Sequence, residues 1–316
     1  MKNCLKVLSF NIYWGGHLKP IEKTIEIIKS SGADLIGIQE NINRHFEDQT
    51  PKIADAIEFF YVRGAILDSL EKSGGNGNKI RARWTQQVGQ STLSRFPIVV
   101  QSPGGFGIQV KTDFGKNIWI FNTHLWHFPY VPYQLLNTKY HGGEFIDPKD
   151  VDAENKAILS ARISHETEIT KILLDIKSVF VMGDPVFLTG DFNEPSHLDW
   201  TIKAAKAGIH IMKIDFPTSK KVLRTGLKDA YRELYPDSIK YPGFTWPAGR
   251  YPESPNSYVM DPEDRIDFIY FLGNGIKVKK VELLGEVGNN SNISFTDYPS
   301  DHRAVLASFE IETNQN

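Results

Sequence analysis

Cysteine is almost missing from this chain. Cys4 is the single one among 316 residues, so no intrachain disulfide can form and the redox compartment is left open. No run of about 18 apolar residues occurs, so no membrane-spanning helix is expected. Neither charge is in excess: 36 Lys+Arg against 38 Asp+Glu leave a formal net charge of −2. A protein whose main task is gripping duplex nucleic acid usually carries a basic surplus. The Cys and paired-His spacings of a zinc site are absent, as are repeats, low-complexity tracts and linkers. The opening MKNCLKVLSFN is broken by Lys6 and Asn11 and has no small-residue cleavage site after it. A cytoplasmic location is therefore expected of the chain as given, and a secreted one if a leader was removed beforehand. Nothing marks a protein partner, and a monomer is expected.

What is present is a hydrophobic content of 41%, enough for one large core, and residues 1–316 read as a single domain. The stretch Val186–Glu194, VFLTGDFNE, organises the reading. Val186, Phe187 and Leu188 form an apolar run that reads as a buried strand, and Gly190 breaks it. Asp191 and Asn193 then leave the strand end on one side, where they can place a water, a metal ion or a phosphate oxygen. An ordinary Asp/Asn turn would use the same residues.

Further strands are read at Cys4–Phe10, Leu35–Ile38, Ser91–Val100 (broken at Pro97), Asn117–His124, Ile266–Phe271, Val278–Leu284 and Ala304–Ile311. Helices are read at Pro20–Ser30, Pro51–Phe60, Ala153–Lys177, Ser196–Ala207 and Lys228–Leu234. Long loops at about 125–155 and 241–262 are rich in Trp, Tyr, Pro and, in the first, His, which argues for a substrate side. The Gly-rich Ser73–Lys79 lacks the flanking strand and helix of a phosphate-cradling loop. Strands recurring with helices between them favour an α/β fold with two sheets packed face to face and helices outside; one doubly wound sheet is the alternative.

The strands end in polar groups. Asn11 follows Phe10, Gln39-Glu40 follow Ile38, Asn122-Thr123-His124 follow Phe121, Asp267 lies in DRIDFIY, and Ser300-Asp301-His302 precede Ala304. Several such ends look like one site gathered at one edge of a scaffold. Glu40, Asp301 and Asn11 offer oxygen, which suits a hard dication such as Mg²⁺. His124 and His302 can handle protons near neutral pH, and Asp267 can orient His302. Together these groups point to hydrolysis of a phosphoester by activated water.

FNIYWG (Phe10–Gly15), DLIGIQE (Asp34–Glu40), NTHL (Asn122–Leu125), TGDFN (Thr189–Asn193), DRIDFIY (Asp264–Tyr270) and PSDHRAV (Pro299–Val305) together resemble the endonuclease/exonuclease/phosphatase superfamily, the deoxyribonuclease I-like phosphoesterases. The resemblance implies a four-layer α/β/β/α sandwich with two packed mixed sheets. It implies Mg²⁺, with Mn²⁺ able to substitute. By that resemblance the metal region takes Glu40, Asn11, Asp301, Asp191 and Asn193. The catalytic set is His302, Asp267, Asp191, His124 and Asn193. Asn193 and His124 hold phosphate, and Trp246 resembles a substrate-side aromatic, with packing as its other use. Arg303, next to His302, is a candidate for bidentate phosphate contact or a surface charge. Tyr13 stands where abasic-site endonucleases carry Asp, and no acidic partner for His124 is visible in Val88–Arg95. The expected function is Mg²⁺-dependent phosphodiester hydrolysis on nucleic acid or nucleotides. The alternatives are a sphingomyelinase-like or inositol-phosphate phosphatase and, last, an inactive binding module. His127 and His141 in the first loop are further substrate candidates, His165 reads as a satisfied core histidine, and Arg162 as structural.

Overall fold

Alternating burial sorts the strands of this computed structural model, which describes residues 2–64, 89–138, 143–180, 183–249 and 262–312. In chain order the strands are β1 (Lys2–Asn11), β2 (Leu35–Gln39), β3 (Phe60–Arg63), β4 (Gln90–Ser94), β5 (Ile98–Gln101) and β6 (Gly107–Lys111). They continue as β7 (Asn117–His124), β8 (Val186–Asp191), β9 (Lys228–Asp229), β10 (Asp267–Leu272), β11 (Ile276–Glu286), β12 (Ile293–Phe295) and β13 (Ala304–Glu312). One sheet runs β12-β11-β13-β1-β2-β4-β3, the other β5-β6-β7-β8-β10-β9. Both are mixed: β1 pairs parallel to β2 and antiparallel to β13, while β7 pairs parallel to β8 and β8 antiparallel to β10.

The period-2 pleat puts successive side chains in different layers. Ile118 and Ile120 of β7 face the other sheet and join Leu5, Val7, Phe187, Ile269, Val305 and Phe309 in the central core. Trp119 and Phe121 face the opposite way and pack with Ile169, Ile172 and Ile176 of the long helix Ala153–Phe180. On the far side, Leu8, Phe10, Ile36 and Ile38 pack with Ile25 and Ile28 of helix Ile21–Ser31 and Ile53 of helix Thr50–Ile57. The result is the expected α/β/β/α sandwich, and the single doubly wound sheet is ruled out. Among the described residues no helix is long and apolar enough to cross a membrane.

Several local expectations are corrected. The helix read over Ser196–Ala207 is confined to Ile202–Lys206, because the Ser196 hydroxyl holds the preceding segment in a turn and Thr201 caps Ala204 anew. Strand β6 escaped the reading because it opens on Gly107. The glycine is needed there, since a Cβ would lie 2.6 Å from the Phe121 ring. The first long loop contains a helical turn, Val131–Leu135. Residues 73–79 and His141 lie outside the described residues, as does 250–261 of the second loop.

The two sheets approach closely at Gly37, beneath the polar strand ends. A Cβ on Gly37 would sit 2.0 Å from Thr189 Oγ1 and 2.5 Å from Asn122 Oδ1. Those groups are committed: Gln39 Nε2 donates to Asn122 Oδ1 at 2.7 Å, and Asn122 Nδ2 donates to the carbonyls of Ile38 and Ser91 at 2.8 and 3.0 Å. Gly37→Ala is expected to cost about 1–3 kcal/mol by overpacking, read as a fall in the denaturant midpoint at unchanged slope. A change near zero would show that the sheets can part there.

Candidate active site

The topology delivers the site. Strands β1, β2, β7 and β8 end, and the antiparallel β10 and β13 begin, at the same edge of the sandwich. Asp191 is therefore in register with both His124 and Asp267. Asp301 and His302 immediately precede β13, and the Ser300 hydroxyl ties them to β1 by donating to the Asn11 carbonyl at 2.6 Å.

Glu40 leaves β2 in a left-handed conformation, φ +56°. A non-glycine residue there is strained, and two partners hold it. The Trp14 amide donates to Glu40 Oε2 at 2.9 Å, and the Gly15 amide donates to the Glu40 carbonyl at 2.6 Å. Gly15, at φ +66°, must be glycine, because a Cβ would lie 2.7 Å from the Asn43 amide. Tyr13 stands beside this turn. Burial, then the charges of Asp301 and Glu40, raise its phenol pKa, with Arg44 opposing.

Asp191, 1% exposed, lies at the centre. Its Oδ2 accepts from Asn11 Nδ2 at 2.9 Å, and its Oδ1 accepts from the Asn193 amide at 2.9 Å. Nε2 of His124 is 3.4 Å from Oδ2, and Nε2 of His302 is 3.7 Å from it. Behind His302, Nδ1 meets Asp267 Oδ2 at 2.9 Å. The Asp267 amide is fixed in turn by Thr245 Oγ1 at 3.1 Å. Burial raises the Asp191 pKa, although His302 and His124 pull the other way. Burial lowers that of His302, but Asp267, Asp191 and Asp301 outweigh it and carry the imidazole well above its ordinary value. Asn193, in a turn at φ +46°, donates from Nδ2 to the Leu125 carbonyl at 2.9 Å. The Asx turn and the gathered site are thus the same structure.

The donors fit a divalent cation. Asp301 Oδ1 is buried and has no hydrogen-bond partner among the described residues. Burial, with Glu40 adding its charge, pushes the Asp301 pKa up to about 7, a load that a bound cation removes. Asp191, Asp267 and His302 also present atoms within 4.8 Å of one another, though Asp267 and His302 have already spent one atom each on their mutual bond. Asn11 turns its nitrogen to Glu40 (3.1 Å) and Asp191, while its oxygen accepts from the Tyr13 amide at 3.0 Å.

The other candidates divide. Trp246 is at the site: its Nε1 donates to Asp301 Oδ2 at 3.3 Å, its ring centre is 6.4 Å from that of His302, and Tyr130 and Tyr133 brace it. Arg303 is not brought there. It is 3% exposed, and its guanidinium is occupied by Glu286 and the Phe244 carbonyl, so it cannot serve a phosphate. His127 rests against Trp126, two residues beyond His124. Arg162 is exposed on the long helix. His124 Nδ1 is buried with no hydrogen bond among the described residues, in line with the absence of an acid in 89–95. The sequence reading missed the supports: Thr245, Ser300 and Gln39 with Asn122. Gln39, Asn122 and Ser300 were noted as polar strand ends without their supporting bonds, and Thr245 gave no signal at all.

The sequence pattern of the Endonuclease/Exonuclease/phosphatase family matches residues 8–302. The chain belongs to that family, whose members are phosphoesterases. A Caenorhabditis elegans protein described as uncharacterized is 26% identical over 320 residues, covering 97% of this chain and 91% of its own. Two solved structures show the same fold. The Beutenbergia cavernae endonuclease/exonuclease/phosphatase has a TM-score of 0.53 at 15% identity, covering 98% of this chain and 72% of that one. D. rerio TDP2 complexed with single-strand DNA product has a TM-score of 0.52 at 14% identity, covering 97% and 99%.

Asn11 bridges Glu40 and Asp191 by donating from one amide nitrogen to both. Asn11→Asp removes both donated bonds and adds a third carboxylate, an expected loss of about 3–5 kcal/mol. Urea unfolding in the presence of chelator measures it, and a loss below about 1 kcal/mol would show that the two acids need no bridge.

Proposed function

We propose that this protein hydrolyses phosphodiester bonds of nucleic acid or nucleotides, with Mg²⁺ as cofactor and Mn²⁺ able to replace it. One observation carries the reading. The buried Asp191 carboxylate is flanked by two imidazole Nε2 atoms, at 3.4 and 3.7 Å, and one of those imidazoles is backed by Asp267 at 2.9 Å.

Glu40 and Asp301 would hold the ion, with Asp191, Asn11 and Asn193 completing its surroundings. When bound, the ion neutralises charge on the phosphate and offsets the crowded carboxylates. Asp267 keeps the His302 Nδ1 proton; with a cation offsetting the carboxylates that otherwise favour the imidazolium, Nε2 would be free to take the proton of the attacking water. Asp191 positions that water. Asn193 and His124 hold phosphate oxygens, and the leaving oxygen is protonated from the His124 side. Trp246, at the site, offers a face on which a base stacks. The single-strand DNA product held by the solved TDP2 structure supports a nucleic-acid substrate.

The test is a panel of dinucleotides, oligonucleotides, sphingomyelin and inositol phosphates assayed with Mg²⁺ and with chelator. Turnover of nucleic-acid diesters, abolished by chelator, is expected. Hydrolysis of lipid or inositol phosphate alone would replace the substrate class, and full turnover in chelator would remove the metal. Within the mechanism, His302→Ala is expected to lower turnover by about 10²–10⁴-fold. Asp267→Asn should act through the same histidine, so the double variant should lose little more than His302→Ala alone. Multiplicative losses in the folded variants would detach Asp267 from His302.

A further inference from the structure

His165 is buried on the long helix, 2% exposed, and both of its ring nitrogens face acceptors. Nε2 lies 2.7 Å from the Trp126 carbonyl, and Nδ1 lies 2.7 Å from Glu194 Oε2. A carbonyl only accepts, so Nε2 carries a proton. Glu194 also accepts from the Thr218 amide at 2.8 Å and from the Thr218 hydroxyl at 2.7 Å. Both Glu194 oxygens accept from donors on this side, so Nδ1 meets Oε2 as a donor as well.

The two acceptors belong to the two arms of the site. Trp126 lies two residues beyond His124, and Glu194 follows Asn193. Between the arms, the Leu125 amide donates to the Asp191 carbonyl at 2.9 Å, and Asn193 Nδ2 donates to the Leu125 carbonyl at 2.9 Å. His165 closes this ring from outside. It sits on a helix whose Ile169, Ile172 and Ile176 are packed on the second sheet. The loop after β7 is thereby tied to the long helix by a doubly donating group.

We propose that His165 is a positioning residue: it clamps the Trp126 carbonyl to Glu194 and so sets the spacing between His124 and Asn193, the two phosphate-holding groups. The proposal rests on the hydrolytic reading above. Burial depresses the basicity of this imidazole, but Glu194 and the Trp126 carbonyl outweigh it, and the net shift is upward, as the doubly protonated ring requires. A shift of the order of an ångström in such groups costs about 10²-fold in rate.

The test exchanges the clamp for one of opposite polarity. In His165→Gln the amide nitrogen can still reach Trp126, but its oxygen meets the Glu194 carboxylate. Adding Glu194→Gln supplies a donor to that oxygen. With bis(p-nitrophenyl) phosphate and Mg²⁺, His165→Gln is expected to lower kcat by about 10–100-fold per folded molecule, with KM changed far less. The double variant should recover at least a tenth of the wild-type kcat. A His165→Gln protein that melts earlier but keeps kcat within twofold would make the residue merely structural and overturn the proposal. So would a double variant no better than the single. Should His165→Gln fail to fold, Glu194→Ala takes its place: it removes the acceptor of Nδ1 and is expected to lower kcat by about 10–100-fold, and a kcat within twofold of wild type would overturn the proposal. If the wild type hydrolyses no phosphodiester, the hydrolytic reading fails by itself. The clamp is then read from Mn²⁺-supported binding of inorganic phosphate, which His165→Gln must weaken and the double variant restore. Equal affinities, or no phosphate binding by the wild type, overturn it.

Discussion

A buried negative charge has to be answered, and Asp191 is the charge on which this structure turns. It sits on β8, in the second sheet, yet Asn11 of β1, in the first, donates to it at 2.9 Å. The same carboxylate is approached by His124 from β7 and by His302 from the start of β13. Removing an ion from water without partners costs several kcal/mol, so the convergence of strands from both sheets on one edge is a condition of stability. It also collects the polar groups that phosphoester chemistry needs. The apolar sandwich beneath supplies the rigidity that keeps the partners within hydrogen-bonding reach.

The site is assembled at some cost. Glu40 and Asn193 both hold positive φ, and Asp301 has an oxygen with no hydrogen-bond partner among the described residues. Such features persist where the surroundings over-determine them. Here the surroundings are concrete: two backbone amides on Glu40, an Asx turn and the Leu125 carbonyl on Asn193, and the Trp246 indole on Asp301. A region crowded with carboxylates is less stable alone than with a counterion, and that deficit is available for binding a cation and a phosphate together.

Much of the frame was legible from the sequence, for a physical reason. Buried strands write themselves as apolar runs, and a polar residue at the end of such a run has few structural uses, so Asn11, Glu40, His124 and Asp191 stood out. The layer order followed from resemblance, and the alternation in NIWIFNTH is compatible with it. Other features have no local signature. The bond from Gln39 to Asn122 joins residues 83 positions apart, and nothing near either one announces the other. Arg303 follows the essential-looking His302, yet the strand alternates and sends its guanidinium to Glu286. His165 was rightly read as buried. What a single helix cannot show is that its two partners lie on the arms of the site, because one of them is a backbone carbonyl.

The central claim is that water attacks phosphorus at this strand edge. The most direct measurement is hydrolysis of a dinucleotide in ¹⁸O-enriched water with Mg²⁺, followed by mass spectrometry of both products, for the wild type and for Asp191→Asn. The account predicts a single ¹⁸O in the phosphate-bearing product, none in the released alcohol, and a loss of turnover of about 10²-fold or more in Asp191→Asn. Label in the alcohol, or wild-type turnover by Asp191→Asn, would contradict it.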